Sequence, residues 1–178
     1  MEKLQASHGV TVAWRSFELR PRGAPPIDPA YLARIQAARP QLYARAKNDY
    51  GEEMNAGPFG IDTRPALIGA KFAEAQGLGP AYHTALMDAY WRKARNIEDR
   101  AVLGELAKRI GLAVNAFDAA LTDPVLDAAV SQDIAQAQAF GLTGVPALVF
   151  NDKYLIPGAQ PYPALVRAVE QIRDQAQS

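Results

Sequence analysis

The sequence has 178 residues, a formal net charge of zero and no cysteine. Balanced charge provides no global attraction to nucleic acid or to an anionic membrane, and no apolar run reaches the about 18 residues of a membrane-spanning helix. Residues 1–10, MEKLQASHGV, lack the apolar centre of a secretory signal peptide, so the sequence predicts a cytoplasmic protein.

Residues 10–19 predict the first strand of the chain. Apolar and polar side chains alternate here with a period of two, which is typical of a strand with one buried face. On this strand we expect the aromatic side chains of Trp14 and Phe17 in the core. We expect the charged side chains of Arg15 and Glu18 in solvent.

Helical patterns fill most of the remaining sequence. They begin at proline or Asp-Pro and end at glycine, the residue types that suit helix starts and helix ends. A chain of this length can bury a real core, as one domain or as one domain with an insertion. The predicted helices lie at residues 2–8, 31–38, 41–49, 65–76, from 80, 100–110, 115–121, 124–140 and from 163.

Residues 141–162, GLTGVPALVFNDKYLIPGAQPY, predict a loop that leads into a β-hairpin. The dipeptide Val145-Pro146 precedes an apolar run at 147–150, and an Asn-Asp turn separates this run from a second one at 153–156. Proline cannot donate to a β-ladder. Pro146, at the start of a strand, therefore marks an edge or leaves a neighbouring backbone group free to bind something else.

These residues resemble the cis-proline loop, the terminal hairpin and the following loop of the DsbA-like thioredoxin-fold oxidoreductases. GAQP resembles the FrnE-type branch in particular, and TGVP and GAQP are the most specific parts of the resemblance. Three further stretches extend it over nearly the whole chain: VAWRSFELRP at 12–21, IDTRPALIGAKFAEAQGLG at 61–79 and the helical run at 82–112.

The resemblance implies an α/β protein with a thioredoxin-like fold and an inserted all-helical domain. Residues 1–60 and 141–178 would form the thioredoxin-like domain, and residues 61–140 the insertion. The family's first strand and its Cys-x-x-Cys motif would precede residue 1. In the family that strand lies between the two strands predicted here at 10–19 and 147–150, so we expect no direct pairing between them. An open sheet edge would favour association between copies of the chain.

The resemblance also implies a substrate-binding loop at Thr143, Gly144, Val145 and Pro146. With a cis bond before Pro146, this loop would present the backbone of Val145 to an extended peptide or thiol substrate, as in strand addition. Simple turn chemistry is the alternative interpretation of Thr143 and Gly144. No catalytic residue is predicted within the chain, because thiol–disulfide exchange requires a thiolate.

Other polar residues give no comparable signal. His8 and His83 have no partner at metal-ligand spacing, so neither a metal site nor a cofactor is predicted, and both are expected at the surface. Arg92, Lys93 and Arg95 cluster at a predicted helix end, where cations interact favourably with the helix dipole; nucleic acid is not an expected partner.

Three hypotheses for function remain. The first is a FrnE-type DsbA-family oxidoreductase or isomerase whose Cys-x-x-Cys lies upstream of Met1, so that the chain as given is catalytically incomplete. The second is a cysteine-free relative that keeps the loop as a peptide-binding module. The third is a glutathione-dependent isomerase or transferase of the kappa or 2-hydroxychromene-carboxylate type, in which a serine takes the place of the first cysteine.

Overall fold

The computed structural model describes residues 1–21 and 23–177. The chain divides into two compact units, one made of residues 1–17 with the residues from 133 onward, the other of residues 18–132. The domain boundaries at 60/61 and 140/141 stay a prediction. The elements are α1 (Glu2–His8), α2 (Pro29–Tyr50), α3 (Arg64–Ala75), α4 (Gly79–Trp91), α5 (Arg100–Arg109), α6 (Val114–Ala120), α7 (Pro124–Ala139), β1 (Ala147–Phe150), β2 (Tyr154–Pro157) and α8 (Tyr162–Gln177).

Helix α2 is longer than the sequence pattern predicted. Asp28 caps it by accepting a hydrogen bond from the backbone N–H of Tyr31 at 2.9 Å, and Pro29 occupies the first turn. The two helices predicted at 31–38 and 41–49 are one continuous helix with Pro40 inside it. Proline removes one hydrogen-bond donor and disfavours the helix interior, but here it does not end the helix.

The core of the second unit is built by α3, α4, α5 and α6. The aromatic rings of Tyr82 and Phe117 are fully buried, and their centroids lie 5.6 Å apart. Gly69 of α3 faces both rings, and the absence of a side chain at this position lets them approach the helix backbone. The other most buried apolar residues of this core are Ala66, Ala73, Ala89, Leu103, Leu106 and Ala107.

The first unit contains the hairpin and the pair of helices α1 and α8. Leu4 of α1 and Val169 of α8 are buried, and the hydroxyls of Ser7 and Tyr162 are 2.7 Å apart. Strands β1 and β2 are antiparallel, with Ala147 opposite Pro157 and Val149 opposite Leu155. The hairpin predicted from the sequence is therefore present, with its second strand shifted by one residue.

The strand predicted at residues 10–19 is not formed. Within residues 1–21 and 23–177, the ladder joins β1 and β2 only. The expectation that a further strand separates this segment from β1 stays a prediction. Alternating polarity makes a segment compatible with a sheet, but a strand also needs a neighbour to accept and donate its backbone hydrogen bonds.

In the part of the chain that the structure describes, no helix combines the length and hydropathy needed to cross a membrane.

Candidate substrate-binding loop

The candidate loop begins where α7 ends. Gly141 adopts a left-handed conformation with φ of 70°, and the N–H of Leu142 donates to the carbonyl of Ala137 at 3.0 Å. Such a backbone reversal closes the last turn of a helix and favours glycine, which has no Cβ to clash. The chain therefore leaves the helix sharply and enters the segment of Thr143 to Pro146.

The four predicted loop residues lie together at the surface. Val145 is 52% exposed, Thr143 and Pro146 are also exposed, and Gly144 is half-buried. They border a shallow depression of about 260 Å³, which is also lined by Leu142, Leu155 and Pro157. Among the residues that the structure describes, no charged side chain lines this depression. A surface of this kind suits an uncharged, largely apolar group better than an ion.

The end of the loop is anchored to the hairpin. The Val145-Pro146 peptide bond is cis, the geometry that the sequence predicted. The backbone N–H of Gly158 donates to the carbonyl of Pro146 at 2.8 Å, which extends the β1–β2 pairing by one position. The loop is thus attached to a regular element at its carboxyl end, while Val145 remains accessible.

The segment before residue 18 is held by a side chain that the sequence analysis missed. The carboxylate of Asp133, on α7, accepts a hydrogen bond from the backbone N–H of Ser16 at 2.8 Å and lies 3.3 Å from the guanidinium of Arg15. Both Ser16 and Asp133 are buried. By accepting this hydrogen bond, the carboxylate satisfies a buried N–H group that in a β-sheet would donate to a neighbouring strand. No local sequence signal links residues this far apart.

Several expected side-chain positions are corrected. Trp14 is 46% exposed, so its expected place in the core is wrong, whereas Phe17 is half-buried. The carboxylate of Glu18 was expected in solvent, but its side chain is only 7% exposed and lies 3.5 Å from the guanidinium of Arg64. Arg15 is exposed, as expected.

The remaining candidates do not form a second site. Burial lowers the pKa of His83, and within the described residues no group of three metal-ligating side chains is assembled. The predicted cationic cluster carries its own carboxylates: Lys93 lies 2.6 Å and Arg92 4.0 Å from Asp88, and Arg95 lies 2.8 Å from Glu105. The hydrogen bond from Lys93 is the main reason why the pKa of Asp88 is lowered.

The chain is similar to known proteins in sequence and in fold. The chain is 30% identical over 154 residues to the uncharacterized protein YwbO of Bacillus subtilis (strain 168), covering 84% of this chain and 76% of that protein. A probable DsbA oxidoreductase from Streptomyces coelicolor superimposes with a TM-score of 0.81 and 28% identity, over 96% of this chain and 80% of the other.

A 2-hydroxychromene-2-carboxylate isomerase shares the fold with a TM-score of 0.79, at 18% identity, over 99% of this chain and 88% of the other. At this identity the likeness concerns the fold alone. The predicted fold class, thioredoxin-like with a helical insertion, is confirmed. Residues 1–170 match the DSBA-like thioredoxin domain, and the chain belongs to this family.

Proposed function

We propose that this chain is a FrnE-type relative of the DsbA thiol–disulfide oxidoreductases, and that its loop from Thr143 to Pro146 binds an extended segment of a substrate. One observation carries the proposal: the exposed Val145 borders a depression whose described lining residues are all uncharged. The GAQP sequence supports the branch. The similarity to a probable DsbA oxidoreductase supports the reaction class.

The loop binds through its backbone and its apolar lining. The backbone around Val145 offers hydrogen-bonding groups that an extended peptide can pair with, irrespective of the peptide's sequence. The lining from Leu142, Leu155 and Pro157 then favours an uncharged side chain next to that contact, because burying a charge here would leave it without a partner. The preferred substrate is an unfolded, uncharged stretch of polypeptide.

Binding and chemistry are separate properties of this chain. Thiol–disulfide exchange proceeds by attack of a thiolate on a disulfide sulfur, and the 178 residues contain no cysteine. We expect no reduction of insulin and no reactivation of scrambled ribonuclease above the buffer rate, measured with protein of verified mass. Turnover that scales with the concentration of this protein would contradict the expectation.

Replacing Val145 by aspartate should weaken peptide binding about tenfold, because the new carboxylate would be desolvated against an uncharged peptide. The measurement is fluorescence anisotropy of a labelled short peptide that alternates valine and threonine. Val125→Asp is the matched control. Val125 is 73% exposed and does not line the depression. It lies near the start of α7, where the helix dipole stabilises a carboxylate.

The comparison between the two aspartate variants decides the proposal. Equal affinities of the wild type and Val145→Asp, or a loss of similar size in both variants, would remove the loop as the binding site. Glutathione is titrated in parallel. Saturable binding of glutathione that Val145→Asp abolishes, in a protein that does not bind the peptide, would replace the proposal with the isomerase or transferase alternative.

A further inference from the structure

A groove of about 380 Å³ lies between α5 and α6, on the surface of the second unit. Ala101, Gly104 and Val114 supply its apolar lining. Val114 is 39% exposed, and a Cβ at Gly104 would meet only Val114, at 4.0 Å. Because glycine adds no side chain at this point, the groove stays open between the two helices. Both helices belong to the helical unit, whereas the family's strand upstream of residue 1 would pair with β1, in the first unit.

Among the described residues, four charged side chains border the groove, and three of them are already paired. The guanidinium of Arg100 lies 3.6 Å from the carboxylate of Asp118. The carboxylate of Glu105 lies 2.8 Å from the guanidinium of Arg95. Within residues 1–21 and 23–177, the ammonium group of Lys108 has no such partner. The groove therefore carries one positive charge that no carboxylate of the described chain balances.

The dimensions of the groove limit what can occupy it. Arg100 begins α5, and Lys108 lies in its last turn. At 1.5 Å per residue, the stretch from Ala101 to Lys108 is about 10 Å long. A straight chain of about eight carbons has a similar length, since a C–C bond measures about 1.5 Å. The matching ligand is an aliphatic chain that ends in an anion.

We propose that this groove binds a straight-chain carboxylate of about eight carbons, with its chain against Ala101, Gly104 and Val114 and its carboxylate beside Lys108. The chain gains from leaving water. The carboxylate stays at the exposed end of the groove, where it keeps part of its hydration while it meets the cation. The site lies on other elements than the loop at Thr143 to Pro146, so the inference does not rest on the proposed function.

The first test is a titration of the ¹⁵N-labelled protein with octanoate, followed by NMR. We expect saturable shifts centred on the amides of Gly104, Lys108 and Val114, with a dissociation constant of order 1 mM for so small a ligand in an open groove. Acetate lacks the chain and 1-octanol lacks the charge, so each should bind at least about fivefold more weakly. Equal binding of acetate or of 1-octanol would overturn the proposal, as would octanoate shifts that avoid these three amides.

Lys108→Gln and Arg109→Gln form a matched pair of variants. Both cations lie in the last turn of α5, where they interact favourably with the helix dipole. Arg109, however, lies 3.8 Å from the carboxylate of Asp88 and does not line the groove. We expect Lys108→Gln to weaken octanoate binding about fivefold and Arg109→Gln to leave it nearly unchanged. Equal losses in both variants would reveal a general attraction for anions and would contradict a defined site.

Gly104→Leu tests the apolar part of the groove. The Cβ at this position has room, so the helices should be retained, and a thermal melt verifies this. The rest of the leucine side chain would fill the space between α5 and α6, and we expect octanoate binding to be lost. A folded Gly104→Leu protein that binds octanoate like the wild type would show that the ligand lies elsewhere. If this variant does not fold, the comparison of Lys108→Gln with Arg109→Gln decides.

A second copy of the chain is the competing occupant of the groove. Sedimentation equilibrium without octanoate should give the same mass for the wild type and for Gly104→Leu. A wild-type dimer that Gly104→Leu converts to a monomer would show that another copy covers the groove, and would overturn the carboxylate as its ligand.

Discussion

Replacing Arg64 by methionine should lower the free energy of unfolding by about 3 kcal/mol. The side chain of Arg64 is 16% exposed, and its guanidinium lies 2.8 Å from the carboxylate of Asp127 and 3.5 Å from that of Glu18. It also donates to the carbonyl of Asp127 and to the hydroxyl of Ser131. Without it, the largely buried carboxylate of Glu18 would lose the cation that offsets its desolvation among the residues that the structure describes.

Arg100→Met is the matched control for this prediction. Arg100 is also the first residue of a helix, and it also pairs with an aspartate and with a backbone carbonyl, both of Asp118. Its side chain is 48% exposed and that of Asp118 is 67% exposed, so we expect a loss below about 1 kcal/mol. Urea unfolding of both variants gives the comparison.

The proposed cause is tested by a second change at Glu18. Glu18→Gln should recover part of the stability lost by Arg64→Met, because a neutral amide does not require a cation. If Arg64→Met and Arg100→Met cost the same, or if Glu18→Gln deepens the loss, then burial of Glu18 is not the reason for the effect. In the wild type, the hydrogen bond to Asp127 is the main factor that raises the pKa of Arg64, so the guanidinium that the substitution removes is charged.

The hairpin and its loop were predictable because their signals are local. Asn151 and Asp152 both adopt positive φ angles, 51° and 53°, which asparagine and aspartate tolerate better than most residues. The hairpin is therefore defined almost entirely by local signals, namely a glycine at the end of α7, a proline before β1 and this turn. The loop at Thr143 to Pro146 was predicted from the same stretch of sequence.

The contacts of residues 14–18 could not be predicted in this way. Ser16 meets Asp133 across 117 positions of the sequence, and Glu18 meets Arg64 across 46. Alternating polarity states which side chains share a face, but it does not state whether a neighbouring strand covers that face. The pattern predicted a buried Trp14 and an exposed Glu18, but the segment has a strand pattern without a paired strand, and the structure shows the opposite for both side chains.

Gly69→Ala should lower the free energy of unfolding by about 2 kcal/mol, or the melting temperature by about 4–8 °C. A Cβ at Gly69 would lie 2.6 Å from the hydroxyl of Tyr82 and 2.8 Å from Cζ of Phe117. Both rings are fully buried, so neither can move aside without disturbing the core. This cost exceeds the up to about 1 kcal/mol that alanine gains over glycine in a helix.

Gly104→Ala makes the same chemical change in α5 and should act in the opposite direction. A Cβ at Gly104 would have Val114 as its nearest neighbour at 4.0 Å, an ordinary contact. The higher helix propensity of alanine should then raise the stability by about 0.5–1 kcal/mol. Thermal melts of the two variants beside the wild type measure the difference. A stabilised Gly69→Ala protein would mean that α3 packs less closely against Tyr82 and Phe117 than the structure shows, since the space for a methyl group would then exist in the core.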